Sequence, residues 1–177
     1  MVQTVRLRPV EIRDAAALAA LYAAQRAFLA PFEPIHPDSF YTGEGQRAAL
    51  EHAVALMHQD QAYRFCIVGD DAIVGILSVS NVVRKAFQSA TVGYFVALEW
   101  NGQGIATAAV GVAVSWAFGP ARLHRLEAAT LPDNVGSQRV LLRNGFTEIG
   151  LSPRHLRIAG VWRDHILFAR TANEPTP

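Results

Sequence analysis

The sequence predicts a mixed α/β domain with a mostly antiparallel sheet of about seven strands and about four helices. Three apolar or alternating runs follow one another between residues 62 and 98 with no room for helices between them, so their strands are expected to pair antiparallel. A single helical pattern then separates two strand patterns, which is typical of one crossover connection. The chain ends in two strand patterns joined by the tight turn Ala159-Gly160.

The first part of the chain predicts a strand and two helices. Residues 5–9 alternate apolar and basic side chains, as in a strand with one solvent-exposed face. Asp14 can cap the following helix, whose apolar residues recur at helical spacing as far as Phe28. Three prolines within residues 31–37 exclude a helix interior, so the second helix is expected at about 44–58.

Turn residues divide the rest of the chain into further elements. These are strands at 62–68, 72–83 and 91–98, a helix at about 104–118, a strand at 123–131, a helix at about 134–144, and strands at about 146–158 and 161–170. Gly145 is expected as a left-handed helix cap. No linker or repeat divides the chain, so we expect one domain over 1–177 with a flexible tail at 171–177.

Composition excludes several classes of function. An apolar fraction of 51% and a net charge of only +1 provide no broad basic field for nucleic acid. The single cysteine, Cys66, allows neither an intrachain disulfide nor a thiolate metal cluster, and we expect it to be an inert buried residue. No basic and apolar leader opens the chain, and no apolar run approaches the ~18 residues of a membrane span. We therefore expect a cytoplasmic protein that binds neither membranes nor a metal.

A glycine turn is the most informative segment. Gly102 and Gly104 lie between a strand pattern and an alanine-rich helix, where glycine allows left-handed angles and close approach of a ligand. The free N–H groups that begin the helix suit a phosphate. The plain alternative is a tight connection between a strand and a helix, without a ligand. A dinucleotide-binding fingerprint would have a third glycine at the position of Thr107, and its strand would be the first strand of the fold. Neither is the case here, so a dinucleotide-binding site is disfavoured.

A second motif begins the helix at about 134–144. Asn134 and Ser137 stand three residues apart in its first turn and therefore point the same way. The plain alternative is that Asn134 is an N-cap and Ser137 an ordinary first-turn residue.

Together these segments resemble the GNAT superfamily of acyl-CoA-dependent N-acyltransferases, over nearly the whole chain. Residues 101–106 match the acyl-CoA motif of that family, except that Asn101 stands where the motif has Gln or Arg. Residues 26–34, 134–146 and 160–165 are similar to the RimJ/RimL branch, which acetylates the N-terminal amines of ribosomal proteins.

The resemblance implies a GNAT fold whose sheet is splayed in the middle, with acetyl-CoA as co-substrate and no metal. The opened strands would offer unpaired backbone groups to the pantetheine arm. The residues implied in coenzyme binding are Phe95, Val96, Asn101, Gly102, Gln103, Gly104, Ile105, Ala106, Thr107, Asn134, Ser137, Val140 and Leu141.

The implied chemistry is direct attack of a neutral amine on the thioester. A backbone N–H near Val96 would stabilise the oxyanion. Ser137 would protonate or hydrogen-bond the departing thiolate, and Asn134 would orient the amine. Glu33 would act as a base or bind the ammonium group, and His155 is an alternative base. These alternatives stay open at the level of sequence.

The first choice of acceptor is the N-terminal α-amine of a protein such as a ribosomal protein. Acetylation of a small amine (a polyamine, an amino acid or a drug) and a non-catalytic coenzyme-A-binding module are the alternatives. Residues 30–51 carry four acidic side chains, and Arg47 is their single basic residue. If this acidic segment borders the acceptor site, it would attract a cationic amine. The alternative is an ordinary solvated helix face. A monomer or a homodimer is expected.

Overall fold

A computed structural model describes residues 5–172, which contain seven strands and four helices. The strands are β1 (Arg6–Pro9), β2 (Tyr63–Gly69), β3 (Ala72–Val83), β4 (Ser89–Val96), β5 (Arg125–Thr130), β6 (Thr147–Ile158) and β7 (Val161–Thr171). The helices are α1 (Ala15–Leu29), α2 (Gly43–His58), α3 (Ile105–Phe118) and α4 (Val135–Arg143). Short 3-10 turns occupy Ile12–Asp14, Asp38–Tyr41 and Leu98–Trp100. None of the described helices is long and apolar enough to cross a membrane.

All seven strands belong to one sheet in the order β1-β2-β3-β4-β5-β7-β6. Neighbouring strands pair antiparallel except β4 and β5, which run parallel because α3 carries the chain back between them. The predicted mixed, mostly antiparallel sheet is therefore confirmed.

The sheet splits between β4 and β5. The two strands pair over only three positions, from Ser89 opposite Arg125 to Thr91 opposite Glu127. Beyond them β4 continues to Val96 beside β3, while β5 continues to Thr130 beside β7. The splayed sheet expected from the resemblance is confirmed, and it leaves a gap in the middle of the fold.

Two hydrophobic cores cover the two faces of the sheet. Alternate residues of a strand face opposite sides, so β2 contributes Phe65 and Ile67 to the core under α3, and Cys66 and Val68 to the core under α1 and α2. This burial on both faces explains why β2 is apolar from Phe65 to Val68.

Some element boundaries differ from the predictions. The third run of the sequence was expected to remain a strand to residue 98, but β4 ends at Val96 because the Leu98 N–H donates to Gln25 Oε1 at 2.9 Å. At the other end of the chain β7 extends to Thr171, and the Ala172 N–H donates to His124 O at 2.8 Å. Residues 173–177 of the expected tail lie outside the described residues.

Asp14 does not cap α1 as expected. Its carboxylate accepts hydrogen bonds from the Arg8 guanidinium at 2.7 Å and from the Glu11 N–H at 2.8 Å, so neither oxygen turns to the helix. The buried Cys66 thiol lies 3.7 Å from the same carboxylate, and burial raises its pKa to about 12. Such a thiol stays protonated, in agreement with an inert cysteine.

The Arg8–Asp14 pair makes a testable contribution to stability. Burial by itself would raise the pKa of Asp14, but the hydrogen bonds from Arg8 and Glu11 outweigh it and lower that pKa. A lowered pKa in the folded state stabilises the protein above the unfolded pKa, and this contribution is lost as pH falls through the folded value.

We therefore expect Asp14→Asn to destabilise the fold at pH 7 by about 2–3 kcal/mol, since it removes the buried carboxylate that pairs with Arg8 and leaves that guanidinium only the longer, 3.3 Å contact with Glu11. Urea unfolding at pH 7 and at pH 3 measures the effect, which should shrink at the lower pH. Asp71→Asn is the matched control, because Asp71 pairs with Arg6 in solvent. Equal destabilisation by the two variants would contradict the role of Asp14.

Candidate active site

The gap between β4 and β5 exposes backbone groups of β4. The Ala97 N–H donates to Val74 O at 2.8 Å, so at this position the N–H group of the chain points towards β3. Because alternate residues of a strand turn their N–H groups to opposite sides, those of Tyr94 and Val96 face away from β3 and into the gap. Val96 is the residue whose N–H was expected near the reacting carbonyl.

The glycine turn lies at one end of this gap. Gly102 and Gly104 have φ angles of +77° and +80°, so the left-handed conformation predicted for both is confirmed. A Cβ at either position would meet no described protein atom within 4 Å, which means that both face open space. Gly104 is the N-cap residue of α3, and the free N–H groups of the first turn of the helix lie immediately after it.

Two buried amide side chains fix the turn and the helices beside it. Gln25 of α1 donates to Glu99 Oε2 at 3.0 Å and accepts from the Leu98 N–H. Asn144, at the end of α4, donates to Thr107 O at 3.1 Å and therefore ties α4 to the first turn of α3. Both amides are nearly inaccessible to solvent. Buried amides with satisfied hydrogen bonds hold one geometry, so the turn is rigid before any ligand arrives.

A cavity of about 460 Å³ opens between the turn, β4 and the start of α4. Eleven of the residues predicted for coenzyme binding line it: Phe95, Val96, Asn101, Gly102, Gly104, Ile105, Ala106, Thr107, Asn134, Ser137 and Val140.

Two predicted residues do not line this first cavity. The Gln103 side chain turns back to donate to Glu99 O at 2.9 Å. Leu141 is fully buried in the core under α3 and lines a second cavity instead. The sequence predicts that Leu141 lies one helical turn after Ser137, but it does not predict on which side of the gap Leu141 lies.

The sequence interpretation missed two arginines of this cavity. Arg139 and Arg143 stand four residues apart on α4 and both line the cavity with exposed side chains. Arg139 follows Gly136 by three residues and Arg143 follows Val140 by three, and both Gly136 and Val140 line the cavity, so helical spacing from the predicted Val140 was the available signal. The arginines bring positive charge to a cavity where Asn101 brings none.

Ser137 lies at the centre of a short hydrogen-bonded chain. Its N–H donates to Asn134 Oδ1 at 3.0 Å, so Asn134 is an N-cap as well as a cavity residue. The Tyr94 hydroxyl lies 2.9 Å from Ser137 Oγ. Burial raises the pKa of Tyr94 to about 12, against the opposing effect of the bond with Ser137, so the phenol keeps its proton at neutral pH. Tyr94 was not predicted as a site residue.

A second cavity, of about 330 Å³, lies on the other side of Ser137. The two cavities share five lining residues: Phe32, Tyr94, Phe95, Asn134 and Ser137. Glu33, Arg64, Thr130 and His165 are among the residues that line the second cavity alone.

Among the acidic residues of segment 30–51, Glu33 lines a cavity, and this is the second one. The β6–β7 turn holds its loop in place, because the Ala159 N–H donates to Glu33 O at 2.9 Å. Burial raises the pKa of the Glu33 carboxyl, opposed by the positive charge of Arg64. Asp38, by contrast, is exposed and pairs with Arg26 at 2.8 Å.

His165, and not the candidate His155, is a histidine that lines the second cavity. His155 is exposed on β6, lines neither cavity and contacts Ser152 Oγ at 3.1 Å. The buried His165 ring places Nδ1 3.0 Å from Arg163 O. A carbonyl only accepts, so Nδ1 carries the proton and Nε2 is the basic nitrogen of the neutral ring. Burial lowers the pKa of His165, which favours this neutral form.

The described residues contain no group of three or more His, Cys, Asp or Glu side chains arranged to hold a metal ion. The polar groups that converge at the gap are instead a hydroxyl pair, an amide, a carboxylate and a neutral imidazole, which suit proton and acyl transfer.

Comparisons with known proteins agree with this geometry. Residues 4–147 match the family model described as an acetyltransferase (GNAT) domain. The chain is 38% identical over 169 residues to the probable N-acetyltransferase YjcK of Bacillus subtilis, covering 94% of this chain and 93% of that protein. It is 35% identical over 173 residues to the ribosomal protein uS5-alanine N-acetyltransferase of Escherichia coli, covering 97% of this chain and 89% of that protein.

A solved structure of similar shape is RimJ of Mycobacterium smegmatis in complex with CoA-disulfide. It superposes with a TM-score of 0.92 at 38% identity and covers 95% of this chain and 82% of that one. The family model, the relatives that match almost the whole chain and the split sheet all agree. The chain therefore belongs to the GNAT acetyltransferases, in their RimJ/RimL branch, and is an acyltransferase.

Proposed function

We propose that the protein transfers the acetyl group of acetyl-CoA to the N-terminal α-amine of a protein, such as a ribosomal protein. The observation that carries the proposal is the shared wall of the two cavities at Tyr94, Asn134 and Ser137. A donor in the first cavity and an amine in the second would meet there. A ribosomal acceptor is supported by the ribosomal protein uS5-alanine N-acetyltransferase among the relatives. Such an acceptor would place the enzyme in the cytoplasm.

The first cavity suits coenzyme A. Its diphosphate would accept hydrogen bonds from the N–H groups after Gly104, at the positive end of the α3 dipole. Arg139 and Arg143 would supply the charge that Asn101 lacks. The amides of the pantetheine arm would bond to the Tyr94 and Val96 backbone groups that β5 leaves unpaired. The bound coenzyme of the Mycobacterium smegmatis relative supports this assignment.

The chemistry requires no covalent intermediate on the enzyme. The amine attacks the thioester carbonyl, the Val96 N–H stabilises the oxyanion, and the carbon–sulfur bond breaks to release the coenzyme A thiolate. Ser137 donates a hydrogen bond to that sulfur. In the proposed arrangement the Tyr94 hydroxyl donates to Ser137 Oγ, 2.9 Å away, which leaves the Ser137 proton for the sulfur and makes Ser137 the stronger donor, because hydrogen bonds in a chain polarise one another.

The second cavity would handle the amine and its proton. Glu33 would bind the incoming ammonium group, and Nε2 of neutral His165 would accept a proton directly or through water. A strong base is not needed, because an α-amine has an unperturbed pKa of about 7.7–8.0 and is partly neutral at physiological pH.

The proposed reaction predicts thiol release from acetyl-CoA with peptides that begin with Ala, Ser or Met, and little release with polyamines or amine drugs. Mass spectrometry should place the acetyl group on the terminal nitrogen. Turnover of small amines alone would favour the small-molecule alternative. Binding of acetyl-CoA without turnover of any amine would favour a binding module.

The glycine turn predicts that Gly104→Val weakens acetyl-CoA binding, because the new side chain would enter the cavity where the diphosphate is placed. We expect the Kd to rise at least tenfold, about 1.4 kcal/mol, by isothermal titration calorimetry. Gly150→Val is the matched control, since Gly150 has a φ of +146° and open space around it but lines neither cavity. Tight binding by a folded Gly104→Val protein would refute the phosphate site.

The Tyr94–Ser137 contact predicts coupled effects on turnover. We expect Ser137→Ala to lower kcat by roughly 10- to 100-fold and Tyr94→Phe by about 3- to 10-fold, with little change in the Kd of acetyl-CoA. The double variant should be no slower than Ser137→Ala, because Tyr94 acts through Ser137. Tyr63→Phe, which removes a hydroxyl bonded to Asp60 outside the site, is the control.

Two outcomes would contradict this coupling. Unchanged turnover in Ser137→Ala would remove its role, and a double variant that loses the product of both single effects would show that Tyr94 acts independently.

A further inference from the structure

A histidine contacts Glu33 from outside the second cavity. Glu33 lines that cavity, whereas His36 lines neither of the two. The Nε2 atom of His36 lies 3.5 Å from Glu33 Oε2. The Glu33 side chain is 25% exposed, so its carboxylate is partly buried and still within reach of a ligand. The proposed chemistry uses Glu33 and leaves His36 without a role.

Aromatic contacts hold the His36 ring in one orientation. The ring stacks on Phe40, with centroids 4.0 Å apart and planes inclined by 10°. Phe40 in turn contacts the edge of the buried Tyr22 ring at 4.8 Å, and its carbonyl accepts a hydrogen bond from the buried Gln46 amide at 2.7 Å. Turning the His36 ring would break the stack, so Nε2 stays directed at Glu33.

The Glu33 backbone is also held in place. Its carbonyl accepts a hydrogen bond from the Ala159 N–H at 2.9 Å, and Pro34 restricts the backbone of the residue before it. The Glu33 side chain, however, has three rotatable bonds. Ordering them when a ligand binds costs conformational entropy, so a contact that orders the carboxylate beforehand strengthens binding.

His36 contacts the carboxylate without bringing a second positive charge to it. Burial and the positive charge of Arg64 lower the pKa of His36, which favours the neutral ring. A carboxylate only accepts hydrogen bonds, so the proton of the neutral ring belongs on Nε2. Asp38 of the same segment differs, because its carboxylate pairs with the Arg26 guanidinium. Glu33 thus remains available to a cation in the cavity.

We propose that His36 is a positioning residue, which holds the Glu33 carboxylate in the orientation that receives the ammonium group of the acceptor. This inference rests on the proposed role of Glu33 in binding the amine and adds a residue that acts through it. Loss of the contact should therefore raise KM for the amine, while kcat and the Kd of acetyl-CoA stay within about twofold of the wild type.

The test compares substitutions of opposite kinds in the full chain, with an alanyl peptide as acceptor. His36→Phe keeps a ring that can stack on Phe40 and removes the polar contact, whereas His36→Gln keeps an N–H donor and removes the stack. We expect His36→Phe to raise KM by about 3- to 10-fold, a modest factor because 3.5 Å is long for a hydrogen bond. His36→Gln should keep KM within about twofold, and His36→Ala should resemble His36→Phe.

A Glu33→Gln background shows whether His36 acts through the carboxylate. Glu33→Gln by itself should raise KM, and His36→Phe added to it should raise KM no further. His52→Phe is the matched control, because His52 is exposed on α2, and it should leave KM unchanged.

The outcomes distinguish this inference from the proposed function. An unchanged KM in both His36→Phe and His36→Ala would overturn the role of His36 and leave acetyl transfer intact. A KM that rises more in His36→Gln than in His36→Phe would do the same, because it would show a role in packing alone. So would a double variant that shows the product of both single effects. Absence of transfer by the wild type to any amine would overturn both proposals.

Discussion

The short pairing between β4 and β5 is the constraint on which the rest of the site depends. Each strand follows its own antiparallel partner, β3 for one and β7 for the other, so the two diverge after three pairs. The divergence leaves N–H and C=O groups of β4 unpaired in the middle of the fold. Backbone groups without a strand partner remain able to bond to a ligand that has amide groups of its own.

Polar side chains buried far from the reacting atoms hold that gap in one shape. Gln25 links α1 to the turn before α3, and Asn144 links the end of α4 to the first turn of α3. The elements they join are distant in sequence. Their hydrogen bonds therefore help to fix the positions of α1, α3 and α4 relative to the glycine turn.

The two cavities are built from different parts of the chain. The first cavity is built from β4, the glycine turn and α4, whereas Glu33, Arg64 and His165 come from a loop and from strands on both sides of the gap. Only the wall around Ser137 is common to the two. Changes in the loop or in β2 would thus alter the second cavity without disturbing the first.

Much of the fold could be predicted because its signals are local. The helices, the strands and the left-handed glycines follow from periodicity and from turn residues, and the Asn134–Ser137 pair follows from helical spacing. Two predictions were wrong because a side chain outside the element intervened: Gln25, 73 residues away, ended β4 early, and Arg8 of β1 took the Asp14 carboxylate.

The sequence by itself thus determined the order of the elements, the glycine turn and the donor-side motif, because each depends on neighbouring residues. Only the tertiary structure decided which side chains meet across the gap. Tyr94 contacts Ser137 from 43 residues away, and His165 replaces His155 because β7 turns it inward beside the cavity. Such pairings depend on strand register and on the separation of β4 from β5, which no local pattern encodes.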